Sequence, residues 1–123
     1  MANSLIKDKS YCFALEIIGL YKVLLEKNEF VLSKQLLRSG TSIGVNVEVA
    51  SAGQRRADFL SKMSIASKEA RETNYWLRLL KDSGIISETE IEPLLAESES
   101  ITSILTSIVK TTSQNKNNSK PKI

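Results

Sequence analysis

The stretch ADFLSKMSIASKEARETNYWLRLLKDS, residues 57–83, decides the fold. Phe59, Met63, Ala66, Ala70, Thr73, Leu77 and Leu80 fall in alternating steps of four and three. That spacing places all seven on one stripe of a helix and matches a coiled-coil-like seam. The small residues at the centre of the seam let a neighbouring helix approach closely. Trp76 and Leu79 lie off it. Gly84 follows and predicts a C-terminal stop, because glycine takes up the left-handed conformation freely.

Upstream, past the turn Gly53-Gln54-Arg55-Arg56, residues 33–52 repeat the pattern. Leu36, Ile43, Val47 and Ala50 mark an inner stripe. Ser33 is expected as the N-cap, with Leu32 stapled onto Leu37. Gly40 and Gly44 share one face and predict close approach of another helix. Asn46, beside the stripe, is expected to be a buried polar group satisfied by a neighbouring helix and setting register.

Residues 4–27 carry two stripes: Phe13, Ile17, Leu20 and Leu24, then Ala14, Ile18, Tyr21 and Leu25. An apolar surface this wide exceeds one bundle face. Either the helix is deeply buried, or it packs its own bundle on one side and another subunit on the other. On the second reading Phe13, Ile17, Ile18, Tyr21 and Leu25 form an oligomer interface. Downstream, Ser87 with Glu90 reads as a capping box. Pro93 disfavours helix at Glu92, which predicts a turn over 87–91 and a long helix from Pro93. Ile91, Leu94, Ser98, Ile101, Leu105, Ile108 and Thr112 give its seam.

Short links between long helices imply antiparallel neighbours. The expected fold is all-α, an antiparallel up-down-up-down four-helix bundle over residues 1–112, about 30–40 Å long. Residues 113–123 read as a disordered lysine-rich tail, since the end of the chain is polar and nearly free of apolar groups.

The 123 residues suffice for one domain. With no histidine, Ser–His and Cys–His catalysis, imidazole zinc sites and ferritin-like di-iron sites are excluded. The single cysteine, Cys12, fits a reducing compartment and reads as inert packing. No signal-like or membrane-spanning run is visible, so a soluble cytoplasmic protein is expected. No phosphate loop or nucleophile motif occurs. Glu48, Glu69 and Glu72 with Lys62, Lys68 and Arg71 are candidates for a buried ionic cluster. Lys68–Glu72 and Arg78–Asp82 are i, i+4 pairs of the kind that usually lie on solvated surface. No cofactor or metal is expected.

The formal net charge of +3 is unevenly placed. Residues 1–32 are neutral, 33–81 carry +5, 82–109 carry −6 and 110–123 carry +4. Lys34, Arg38, Arg55, Arg56 and Lys62, with tail lysines such as Lys110 and Lys116, are therefore the candidate phosphate contacts of a nucleic-acid-binding surface. The acidic fourth helix is a candidate mask for that patch.

The run from Gln35 to Ile86 resembles the 23S rRNA intervening-sequence proteins. The resemblance rests on Arg38-Ser39, Ser42-Ile43, Asn46, Ala57-Asp58-Phe59 with Lys62, Lys68-Glu69-Ala70, Glu72 and Trp76-Leu77, and it extends over residues 5–112. Val49 stands where the subfamily it most resembles has an acid, and Arg55 where a small polar residue is usual. The resemblance implies a homopentamer, a barrel of bundles with a basic surface. Related proteins are accessory factors of diversity-generating retroelements, binding nucleic acid and a reverse transcriptase. The expectation is a non-enzymatic oligomer that binds RNA or structured DNA. The alternative is a protein-only scaffold that docks a partner such as a reverse transcriptase.

Overall fold

A computed structural model describes residues 2–53 and 55–118 of the chain. Four helices follow one another: α1 (Ala2–Glu26), α2 (Leu32–Ala52), α3 (Arg56–Asp82) and α4 (Glu88–Asn118). There is no strand among the described residues. Each helix packs against the next, and α1 also meets α4, so the four close around one core.

The seams read from spacing are the ones that close. From α2 come Leu36, Ile43, Val47 and Ala50. From α3 come Met63, Ala66, Ala70, Thr73, Leu77 and Leu80. From α4 come Ile91, Leu94, Ser98, Ile101 and Leu105; all of these are buried. Each fully buried Leu, Ile or Met contributes about 1.5–3 kcal/mol relative to exposure. A Cβ on Gly40 would lie 2.9 Å from both Cγ1 and Cγ2 of Ile17. Gly40 is thus the point where α1 presses onto α2. At the polar centre, the hydroxyls of Ser39 and Thr73 share a hydrogen bond of 2.9 Å between α2 and α3. The Asn74 amide donates to Ser98 across α3 and α4 at 2.9 Å.

Helix ends at one end of the bundle are closed by local chemistry. Asn28 takes a left-handed φ of 63° after α1, and Glu29 N–H reaches back to the Leu24 carbonyl. Asparagine tolerates that conformation better than most residues. The cap of α2 differs from expectation. Ser33 is buried inside the helix, and its hydroxyl donates to the Glu29 carbonyl. The Glu29 carboxylate does the capping, accepting N–H bonds from Val31, Leu32 and Ser33. Partial burial pushes that carboxyl up, but the N–H donors outweigh it and hold it below the usual range. Gly84 has φ 79°, as its position after α3 requires. Ser87 Oγ accepts the Glu90 N–H, while its own hydroxyl donates to the Glu90 carboxylate.

α4 departs from the sequence reading twice. It is continuous from Glu88, with Pro93 inside it, rather than starting at Pro93. Ile91, Leu94 and Leu95 are all buried, and only an unbroken helix points them into the core together. Thr89, whose carbonyl loses its partner to the ring, is exposed to water, which limits the penalty. α4 also runs through Asn118, past the boundary at 112 drawn from composition. The rest of the tail and the Lys116 side chain lie outside the described residues.

Candidate nucleic-acid interface

The candidate contacts are placed by helix register. On α1 and α2, Ile17 meets Gly40, Ser10 meets Gly44 and Lys7 meets Glu48. On α2 and α3, Ser39 meets Thr73 and Gly53 meets Asp58. On α3 and α4, Asn74 meets Ser98 and Lys81 meets Glu92. Rising numbers on one helix meet falling numbers on the next in each pair. Extending the last register brings residue 110 level with Lys62, and 116 level with Arg56.

Arg55, Arg56 and Lys62 therefore gather at the α2–α3 end of the bundle, with the lysine-bearing half of α4 alongside. Residues 51–53 and 55–58 are all exposed there. Arg55 makes a loose 3.4 Å pair with Asp58, and both side chains are largely in water. Such a pair contributes at most about 1 kcal/mol and yields readily to a phosphate. Lys62 is half-buried and Lys110 exposed.

Two predicted contacts do not join them. Lys34 is exposed on the first turn of α2, at the opposite end, about 27 Å from Ala52 at 1.5 Å per residue. Arg38 is already engaged. It reaches Glu69 at 2.8 Å and also pairs with Glu72. These hydrogen bonds, Glu69 first, raise the hold on its proton. Glu72 in turn accepts the Trp76 indole N–H at 3.0 Å. That bond and then Arg38 keep the Glu72 carboxyl below its ordinary range, against the effect of burial. Arg38 ties α2 to α3, and its charge is already met by two carboxylates. The ionic cluster expected among Glu48, Glu69, Glu72, Lys62, Lys68 and Arg71 is thus built differently. Its cation is Arg38, and Glu48 pairs instead with Lys7 at 3.7 Å.

Within the chain, the acids of α4 lie away from the basic end. Glu88, Glu90, Glu92, Glu97 and Glu99 all lie in the first half of α4, and residues 100–118 contain no acid. The acids sit beside the C-terminal half of α3, where Lys81 meets Glu92 at 2.5 Å, and beside α1, where Lys9 meets Glu97 at 2.9 Å. Glu92 raises the hold of Lys81 on its proton.

The expected interface on α1 is split. Phe13 and Ile17 are completely buried in their own bundle and cannot meet another chain. Ile18, Tyr21 and Leu25 are half-buried. Other apolar groups are exposed, among them Tyr11 and Leu15 on α1 and Val45 and Val49 on α2. Tyr11, Ala14, Thr41, Gly44 and Val45 line a groove of about 220 Å³ between the two helices. Tyr11 and Leu15 stand four apart, the signal that would have found this second face. Asn46 is half-buried rather than buried, and its amide donates to the Ser42 carbonyl of its own helix at 2.9 Å, not to the neighbouring helix expected to satisfy it. Among the described residues, no helix is long and apolar enough to cross a membrane.

An all-α bundle of four helices, with its charge drawn to opposite ends, is the class that fold and surface define. The chain belongs to the family described as 23S rRNA-intervening sequence protein, which it matches over residues 2–107. Among solved structures it is similar to a protein of unknown function from the S23 ribosomal protein family of Bacteroides thetaiotaomicron. The two share 50% identity and a TM-score of 0.86, covering 89% of this chain and 99% of that one. Comparison with curated proteins gives no match.

Proposed function

We propose that the protein is a non-enzymatic, oligomeric nucleic-acid-binding bundle of up-down-up-down topology. Arg55, Arg56, Lys62 and Lys110 contact the phosphate backbone at the α2–α3 end, and RNA is the preferred partner. The observation that carries the reading is charge segregation. The acid-free half of α4 runs beside the basic start of α3, and the acids are confined to the far half. Phosphate contacts of this kind are electrostatic and read no sequence. The opposed order of helix contacts supports the topology.

The oligomer uses the exposed strip of Tyr11, Leu15, Val45 and Val49, with Ile18, Tyr21 and Leu25 at its margin. A ring of five copies accords with the family resemblance. Light scattering above the 13.7 kDa of one chain is expected; a monomer at micromolar concentration removes the interface.

The test of binding is retention of RNA at about 50 mM salt, falling steeply as salt rises. No retention at that salt defeats the reading. It would leave the alternative, a protein-docking scaffold working through the same apolar strip.

A further inference from the structure

Beyond the basic end, α3 and α4 enclose a cleft of about 370 Å³ lined by Arg71, Asn74, Arg78, Glu99, Thr102 and Ser103. Arg71 and Arg78 stand two helical turns apart on one face of α3, and both are exposed. Neither makes an ion pair with a carboxylate among the described residues. This separates them from Arg38, which two carboxylates neutralise.

Both guanidinium groups are held in place by neutral partners instead. Arg71 donates to the Thr106 hydroxyl at 3.1 Å. Arg78 donates through Nε to the Asn74 amide oxygen at 2.9 Å and lies over the Tyr75 ring, 5.7 Å from its centre. The Asn74 amide is itself fixed by its bond to Ser98. Each fork is thus positioned while most of its N–H donors stay available. Pre-positioned guanidinium groups lose less entropy on binding an anion than free ones.

We propose that this cleft binds a phosphate group, as a monoester or a diester. Arg71 and Arg78 clamp its oxygens from the α3 side, and the Ser103 hydroxyl donates from α4. A phosphate presents several oxygens in three dimensions and engages two forks at once. A planar carboxylate fills only one of them bidentately. Glu99, on the cleft wall, opposes the anion and limits its affinity, leaving a net charge of +1 between two cations and one anion. The proposal does not depend on nucleic-acid binding at the α2–α3 end.

The test follows the arginine Nε–H signals of the full chain by NMR, with inorganic phosphate and with oligouridylate as separate probes. Phosphate is expected to shift Arg71 and Arg78 selectively, with Arg38 unmoved and Arg55 moved less. The R71Q/R78Q variant should bind phosphate at least about tenfold more weakly, because charged hydrogen bonds are lost. Glu99→Gln should bind it more tightly. Both arginines are exposed, so these variants should fold, which circular dichroism checks.

Shifts at Arg71 and Arg78 no larger than at Arg55, unchanged affinity in R71Q/R78Q, or no gain in Glu99→Gln would each overturn the site. If oligouridylate reproduces the shifts, the site takes the diester of a nucleic-acid strand. If only phosphate does, it takes a free phosphorylated compound; either result supports the site. An R55E/R56E variant that loses RNA yet keeps the phosphate shifts shows that the two sites stand separately.

Discussion

The two ends of the bundle are built on opposite plans. At the end holding residues 26–33 and 83–90, Asn28, Glu29, Gly84 and Ser87 all close helix termini with local hydrogen bonds or left-handed turns. The buried Ile86 packs beneath. At the α2–α3 end, neither Gly53 nor Arg55 supplies a side-chain cap, and Arg55 and Arg56 stand exposed beside one acid, Asp58. Local caps gather at one end, and the exposed arginines Arg55 and Arg56 stand at the other. On the proposed function, the surface that meets a partner lies where no side-chain cap depends on it.

The comparison breaks first at Ile86. Ile86→Ala at the capped end should lower unfolding free energy by about 2–5 kcal/mol, read by urea denaturation, because it opens a cavity. RNA affinity of the folded fraction should not change. Next comes the other end. R55E/R56E should weaken RNA binding by at least about tenfold, roughly 1.4 kcal/mol, and flatten the salt dependence by about two units of slope. Its unfolding free energy, from urea denaturation, should stay within about 0.5 kcal/mol of the parent. A large stability loss in that variant would show that the basic end is structural after all.

Smaller effects sharpen the contrast. Glu29→Ala should lose about 1 kcal/mol, as removal of a helix cap does, with RNA retention intact. The pH dependence has a definite sign. Glu29 and Glu72 are both lowered from 4.5 in the folded chain. Their contribution is therefore complete above that value and is lost as pH falls through the lower folded values. Melting temperature should hold from neutral pH to about 4.5 and then drop. Glu29→Gln should blunt the drop, and Arg55→Gln should leave it as it is.

Much of this was legible in the chain. The 4-3 spacing from Phe59 to Leu80 specifies a helix and its inner face, because side-chain direction follows from 3.6 residues per turn. The same holds for Leu36–Ala50 and Ile91–Leu105, and glycine chemistry ends α3 at Gly84. The segmental charges were equally readable. What spacing does not carry is the partner across the groove. α1 is apolar over more than one face, and nothing local says that Phe13 and Ile17 turn inward, that Ile18, Tyr21 and Leu25 are half-buried, and that Tyr11 and Leu15, outside both stripes, stay out. Arg38 looked like its basic neighbours until packing set Glu69 and Glu72 opposite it. Asn46 looked like a cross-helix contact until its amide bonded its own turn.

Pro93 shows the same division. Its ring disfavours helix locally by about 3 kcal/mol or more, and burial of Ile91, Leu94 and Leu95, at about 1.5–3 kcal/mol each, outweighs it. The sequence by itself determined four helices, the core faces of α2, α3 and α4 and the separation of charge along the chain, because these depend on neighbours within a turn or two. The tertiary structure alone decided which cations are neutralised, which apolar residues of α1 stay exposed, and that the acidic half of α4 lies away from Arg55 and Arg56. Those depend on register between helices, which only the packing of the whole core sets.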